Sequence, residues 1–236
     1  IIGGGQLGSL LSVAARKLNI KRIIHTSTSE VYGSAISIPI NEEHPLQAQS
    51  PYSASKISAD QLSLSFYRSF NLPVSIIRPF NTFGPRQSAR AIIPTIITQV
   101  LSGAKEIKVG SLYPKRDFTF IDDTVNGFIK AIKAKNIEGE TINLGTNYDI
   151  SISDIISLIF EIFEIDLKII SEKQRIRPEK SEVDRLLSDN TLAHKLINWS
   201  PSFKDREGLK LGLKKTIDWF MKKENLKKYN IKNYNI

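Results

Sequence analysis

Two short apolar runs, Lys21-Arg22-Ile23-Ile24-His25 and Pro73-Val74-Ser75-Ile76-Ile77, stand on either side of a long segment that begins at Ser50-Pro51. Runs of that length, rich in isoleucine and valine and bounded by polar breaks, read as buried parallel strands. Ser50 is a good helix cap and Pro51 suits the first helical position. The spacing therefore predicts a helix over 51–70, with an apolar face from Ile57, Leu62, Phe66 and Phe70. Strand, helix and strand in that order call for an α/β fold built on a parallel sheet. Ligands in such sheets sit off the carboxyl ends of the strands, so the residues after His25 and after Ile77 carry the chemistry.

After His25 the chain breaks into Thr26-Ser27-Thr28-Ser29-Glu30-Val31-Tyr32-Gly33, a run of hydroxyls, one carboxylate and a glycine. Tyr52 and Lys56 follow on the predicted helix, four apart and so on one face. An ammonium beside a phenol favours the phenolate and is expected to bring the tyrosine pKa down towards neutrality. That is how a tyrosine becomes a proton carrier near pH 7. Such a pair by itself is commonly a core tyrosine next to a solvated lysine; the hydroxyl-rich strand end upstream gives this one its weight.

The chain has 236 residues, enough for one large or two small domains with a sizeable core. It has no apolar run near eighteen residues, so no segment is expected to cross a membrane. Cysteine is absent, which rules out disulfides and thiolate metal sites and points to a reducing cytoplasm. His25, His44 and His194 are scattered without carboxylates at ligand spacing, so no metal is expected. The net charge of +9 comes from lysines spread over helix faces and gathered in the tail, with no recognition motif for nucleic acid. A positive field also suits a substrate that carries a diphosphate.

Three stretches together resemble the extended short-chain dehydrogenase/reductase family, and within it the NAD-dependent sugar-nucleotide epimerases and dehydratases. They are Ser27-Thr28-Ser29-Glu30-Val31-Tyr32-Gly33, Tyr52-Ser53-Ala54-Ser55-Lys56, and Arg78-Pro79-Phe80-Asn81-Thr82-Phe83-Gly84-Pro85-Arg86. The run 78–91 and the run Arg177-Pro178-Glu179-Lys180-Ser181-Glu182-Val183 narrow the likeness to LegB-type 4,6-dehydratases, which act on nucleotide-linked N-acetylglucosamine in legionaminic-acid synthesis. The resemblance implies a catalytic set of Thr28, Ser29, Glu30, Tyr52 and Lys56. It implies NAD held by Tyr52, Lys56 and the backbone of Arg78 and Pro79, and a substrate diphosphate met by Asn81, Arg116 and Arg177. Tyr52 would take the 4-hydroxyl proton as hydride leaves C4, with Thr28 on the same oxygen; Glu30 would then remove the C5 proton and water would leave from C6. Ser29 stands where some members use an aspartate as the acid for C6. Epimerases usually carry a small or apolar residue where Glu30 stands, because exchange at C4 alone needs no base at C5. UDP-glucuronate decarboxylases, which share the oxidation at C4, are the nearest alternative, and a remnant that only dimerises or binds sugar nucleotide is another.

The amino-terminal stretch departs from the pattern. Gly3, Gly5 and Gly8 form G-x-G-x-x-G, but only two isoleucines precede them and positions 22–29 hold no acid for a ribose hydroxyl. The stretch 1–20 looks more like the opening of an ATP-grasp nucleotide domain. The family places several βα units before the Thr28 strand, so the resemblance implies an amino-terminally truncated chain with an incomplete Rossmann-like sheet. A partial NAD-binding domain is expected over 1–86, with 116–146 returning to its sheet. A smaller mixed α/β domain for the sugar nucleotide is expected over 87–115 and 147–236. Family likeness also implies a homodimer through the Tyr52–Phe70 helix. Asp122 or Asp123 is expected to cap a helix over 124–134, and the loop 34–50 is long enough to close over a substrate.

Overall fold

The computed structural model describes residues 13–176 and 178–229. In chain order its strands are β1 (Ile23–Thr26), β2 (Val74–Pro79), β3 (Asn81–Phe83), β4 (Glu106–Val109), β5 (Lys115–Phe120), β6 (Thr141–Leu144), β7 (Asp149–Ser151), β8 (Lys168–Ser171) and β9 (Arg185–Leu186). The longer helices are α1 (Pro51–Phe70), α2 (Ile92–Leu101), α3 (Ile121–Lys133), α4 (Ile152–Phe163), α5 (Thr191–Ile197) and α6 (Asp205–Met221).

The predicted strand–helix–strand unit is present. β1 and β2 pair in parallel, with Ile23 opposite Val74 and Thr26 opposite Ile77, and β6 adds in parallel on the other side of β2. Helix α1 connects β1 to β2. Its cap is the one foreseen: Ser50 Oγ accepts from the Ser53 amide at 3.1 Å and Pro51 takes the first turn. The helix stops where Asn71 turns left-handed at φ 53°.

The strands after β2 group differently from the expected division. Lys115–Phe120 does not return to the β1–β2–β6 sheet; β5 pairs with β3 and β9 in parallel and with β7 in the opposite direction. Of the span 116–146, only β6 joins the first sheet. Each sheet has its own core. Ile24, Ile77, Ile142 and Leu144 pack under α3 and α5 with Trp199, while Phe83, Phe118 and Phe120 pack with the isoleucines of α2 and α4 and with Leu213, Ile217 and Phe220 of α6.

Two local expectations are corrected. Neither aspartate caps α3; Asp123 instead accepts from the Ser202 and Phe203 amides at 2.9 and 2.8 Å and fixes the approach to α6. The loop 34–50 is anchored at its middle rather than hanging free. Ile40 is fully buried, its amide donates to Leu187 O at 2.7 Å, and its carbonyl accepts from the Asp189 amide at 2.8 Å. An apolar residue in the middle of a polar loop is what pins it. No helix among the described residues is long and apolar enough to cross a membrane.

β5 and the loops above it are joined by Asp117, which has no exposed surface. Its Oδ1 accepts from Thr146 N and Oγ1 at 2.8 and 2.7 Å, and its Oδ2 accepts from Asn147 N and Ser188 N at 3.0 and 3.2 Å. Burial pushes the carboxyl up to about 6, against the pull of those donors. An amide at this position would turn its NH2 towards at least one backbone N–H donor whichever way it faced. Asp117→Asn is therefore expected to lower stability by roughly 2–3 kcal/mol, read as a lower urea midpoint at unchanged slope. An unchanged midpoint would refute this role.

Candidate active site

The carboxyl end of β1 folds into a short turn that aims its side chains. Thr28 is extended, at φ −160° and ψ 154°, and its Oγ1 accepts from the Glu30 amide at 3.3 Å to cap a 3-10 turn over Ser29–Tyr32. The turn ends at Gly33 with φ 63°, where a Cβ would come within 2.8 Å of the Gln47 carbonyl oxygen, so only glycine fits. Ser53 Oγ donates to the Glu30 carbonyl at 2.7 Å and ties the turn to the first turn of α1. The Tyr52 side chain is thereby brought near Thr28, whose hydroxyl favours the phenolate. Glu30 and Tyr52 open together onto a cleft of about 760 Å³, whose walls include Asn81, Gln87, Arg90, Arg116 and Arg175.

The electrostatics of the pair differ from the expectation. Tyr52 is 51% exposed, yet its phenol is pushed above the ordinary tyrosine range. Partial burial is the main cause; the Thr28 hydroxyl pulls the other way and the Glu30 carboxylate adds to the rise. Lys56 is not among the causes. Its Nζ donates to the Thr26 carbonyl at 3.0 Å and lies 5.9 Å from the centre of the Tyr52 ring. Burial lowers the pKa of Lys56 itself, and the Asp60 carboxylate offsets part of that.

The remaining expected site residues divide. Asn81 lines the cleft with its Oδ1 buried and unpartnered, as is Oε1 of Gln87 beside it. Two buried acceptors without donors mark a surface made for a ligand with hydroxyl or amide hydrogens. Arg116 lines the same cleft while pairing with Glu182 at 3.2 Å. Ser29 is buried and, like Thr28, is not among the residues that line the cleft. The Arg78 side chain is also buried and engages Asp60 and Tyr32, which leaves only its backbone for a cofactor, at the end of β2 with Pro79. Arg177, Gly3, Gly5 and Gly8 lie outside the described residues. Gln87, Arg90 and Arg175 were missed as site residues, although each sits in or beside a run that carries the family likeness. A difference titration of the ligand-free chain against Tyr52→Phe, followed by phenolate absorbance, should place the Tyr52 midpoint above the ordinary tyrosine range. A midpoint near neutral would contradict the geometry.

The sequence pattern of the GDP-mannose 4,6-dehydratase family matches residues 6–211. The dTDP-D-glucose 4,6-dehydratase of Homo sapiens is 30% identical over 216 residues, covering 89% of this chain and 59% of that protein. The UDP-glucose 4-epimerase of Mycolicibacterium smegmatis is 30% identical over 218 residues, covering 90% of this chain and 66% of that one. Among solved structures, UDP-glucuronic acid 4-epimerase from Bacillus cereus, in complex with UDP-glucuronic acid and NAD, superposes with a TM-score of 0.82 at 30% identity, over 90% of this chain and 65% of that one. The dTDP-glucose 4,6-dehydratase from Bacillus anthracis, in complex with NAD, gives 0.79 at 28% identity, over 92% and 68%. The chain thus spans 59% of the length of its human relative. With a match of that extent over a cleft lined by Glu30 and Tyr52, the chain belongs to the GDP-mannose 4,6-dehydratase family of NAD-dependent extended short-chain dehydrogenases/reductases.

Proposed function

We propose that this cleft takes a nucleotide-linked hexose and, with NAD beside it, converts the hexose to its 4-keto-6-deoxy form by 4,6-dehydration. The observation that carries the reading is the meeting of two features in one cleft. Glu30 and Tyr52, whose phenol is influenced by the Thr28 hydroxyl, stand at one side, and Asn81 and Arg116 line the same space. The residues present suit the nicotinamide-ribose end of NAD: Lys56 offers a half-buried ammonium beside Tyr52, and Arg78-Pro79 ends the neighbouring strand. Bound NAD would supply the acceptor for hydride from C4 and its return to C6.

Within that frame each side chain has one task. Tyr52 draws the proton from the 4-hydroxyl, and Thr28 holds the same oxygen. The resulting ketone acidifies C5, and Glu30 removes that proton. Ser29 is buried and has no carboxyl to give a proton, so the acid for the departing 6-hydroxyl falls to Glu30, which by then carries the C5 proton. Arg116, Arg90 and Arg175, with Arg177 from the sequence pattern, meet the diphosphate; a planar guanidinium pairs two phosphate oxygens at once. Likeness to the LegB group supports GDP- or UDP-N-acetylglucosamine as substrate, a cytoplasmic setting, and a homodimer through α1. The last draws on Phe70, 46% exposed at the end of that helix.

The rival reading is 4-epimerisation, favoured by the epimerases among the relatives. It leaves Glu30 without a task. Incubation of the chain with NAD+ and GDP-, UDP- or dTDP-hexoses, followed by mass spectrometry, should reveal a product lighter by one water. Glu30→Gln should reduce water loss by about 100-fold or more while hydride exchange at C4 persists. An epimer of unchanged mass, or full dehydration by Glu30→Gln, would overturn the proposal.

A further inference from the structure

Below Tyr52 and Lys56, one helical turn further along α1, lies a carboxylate that the proposed reaction does not use. Asp60 has no exposed surface. Its Oδ1 pairs with His25 Nε2 at 3.1 Å, and its Oδ2 accepts from Ser27 Oγ at 2.8 Å and from Arg78 Nε and Nη2 at 3.1 and 3.0 Å. These partners come from both strands whose ends form the site: His25 and Ser27 from β1 and the residue just after it, Arg78 from β2. Arg78 Nη1 continues to the Tyr32 phenol at 2.9 Å, and that phenol donates to Asn143 Oδ1 on β6 at 2.7 Å. One buried network therefore crosses the sheet from α1 to β6.

From this geometry we infer that Asp60 is a positioning residue for the Tyr52–Lys56 pair: it bolts their helix to β1 and β2. The inference rests on the proposed roles of Tyr52 and Lys56. A carboxylate buried in a helix costs several kcal/mol unless it is fully paired, and here every partner belongs to a strand that ends at the site. Tyr52, Lys56 and Asp60 follow one another at intervals of four, so a shift at Asp60 is carried to both side chains above it. The titratable or charged groups facing Asp60 are His25 from β1, Arg78 from β2 and Lys56 from its own helix, with the Tyr32 phenol next to Arg78. Burial works against the charge on Lys56, and Asp60 works for it. Without Asp60 the ammonium would lose its proton at lower pH.

Two readouts test this on the full chain. Competitive acetylation across pH, quantified at Lys56 by mass spectrometry, needs no turnover; Asp60→Asn should make Lys56 titrate at lower pH than in the wild type. With NAD+ and a sugar nucleotide, the same variant should lose roughly 10- to 100-fold in kcat while KM changes little, as expected of a small displacement of the reacting groups. Asp60→Asn leaves the buried Arg78 without its counter-charge, so Asp60→Asn/Arg78→Gln is measured beside it. That pair removes the unbalanced charge and restores folding, but it should not restore the Lys56 titration or kcat. If the wild-type chain turns over no sugar nucleotide yet Lys56 shifts, the proposed function fails and the positioning role stands. The inference is overturned if a folded variant keeps both Lys56 titration and kcat within twofold of wild type. It is equally overturned if neither variant folds, which would make Asp60 a stabilising group alone.

Discussion

A buried carboxylate and a buried guanidinium, Asp60 and Arg78, hold this structure together at the point where chemistry is proposed. The pair is only 3.0 Å apart and almost without solvent. Neither charge is tolerable alone in that setting. Each is satisfied by groups on different elements, so the helix and the two strands cannot shift independently. The helix brings Tyr52 and Lys56; β1 brings Thr28 and Glu30; β2 brings the Arg78-Pro79 backbone and, just beyond it, Asn81. Fixing the three elements against each other fixes the site.

The wall facing Tyr52 and Glu30 depends on the second sheet. Arg116 sits on β5, which Asp117 joins to residues 146, 147 and 188 by hydrogen bonds to one buried carboxylate. Arg116 also holds Glu182 across the sequence. An anionic ligand entering this cleft meets an arginine already engaged by a carboxylate, so the two negative groups must share it or exchange. Buried aspartates thus organise both sides of the cleft, one by holding a helix on strands and the other by holding loops on a strand.

The sequence made one half of this legible. Helix α1 could be read from Ser50 and Pro51, and the Tyr52–Lys56 face followed from helical geometry alone. Its apolar spacing misled: Ile57, Leu62 and Phe66 are only half-buried and Phe70 is exposed, while Ser53, Ala59, Asp60, Ser63 and Leu64 face inward. The strand end was legible too, since the break into hydroxyls marks where β1 stops, and Thr28 caps the turn that follows it. What escaped reading depended on partners far along the chain. Asp60 looks like any polar residue in an amphipathic helix until His25 and Arg78, 35 and 18 residues away, are placed around it. Asp123 has the look of a helix cap, but its donors are residues 202 and 203. The loop 34–50 has the length of a lid, and one isoleucine at position 40 sews it to residues 187 and 189. The expected fall in the Tyr52 pKa failed for a similar reason: Lys56 has a competing acceptor in the Thr26 carbonyl, which spacing on a helix could not reveal.

The most direct measurement is a crystal structure of the chain with NAD+ and a nucleotide-linked hexose. The arrangement described here requires the sugar 4-hydroxyl to lie within hydrogen-bonding distance of both the Tyr52 phenol and the Thr28 hydroxyl, with the Glu30 carboxylate beside C5 and the diphosphate against Arg116. A sugar bound elsewhere, or one whose C4 and C5 face away from Tyr52 and Glu30, would contradict it.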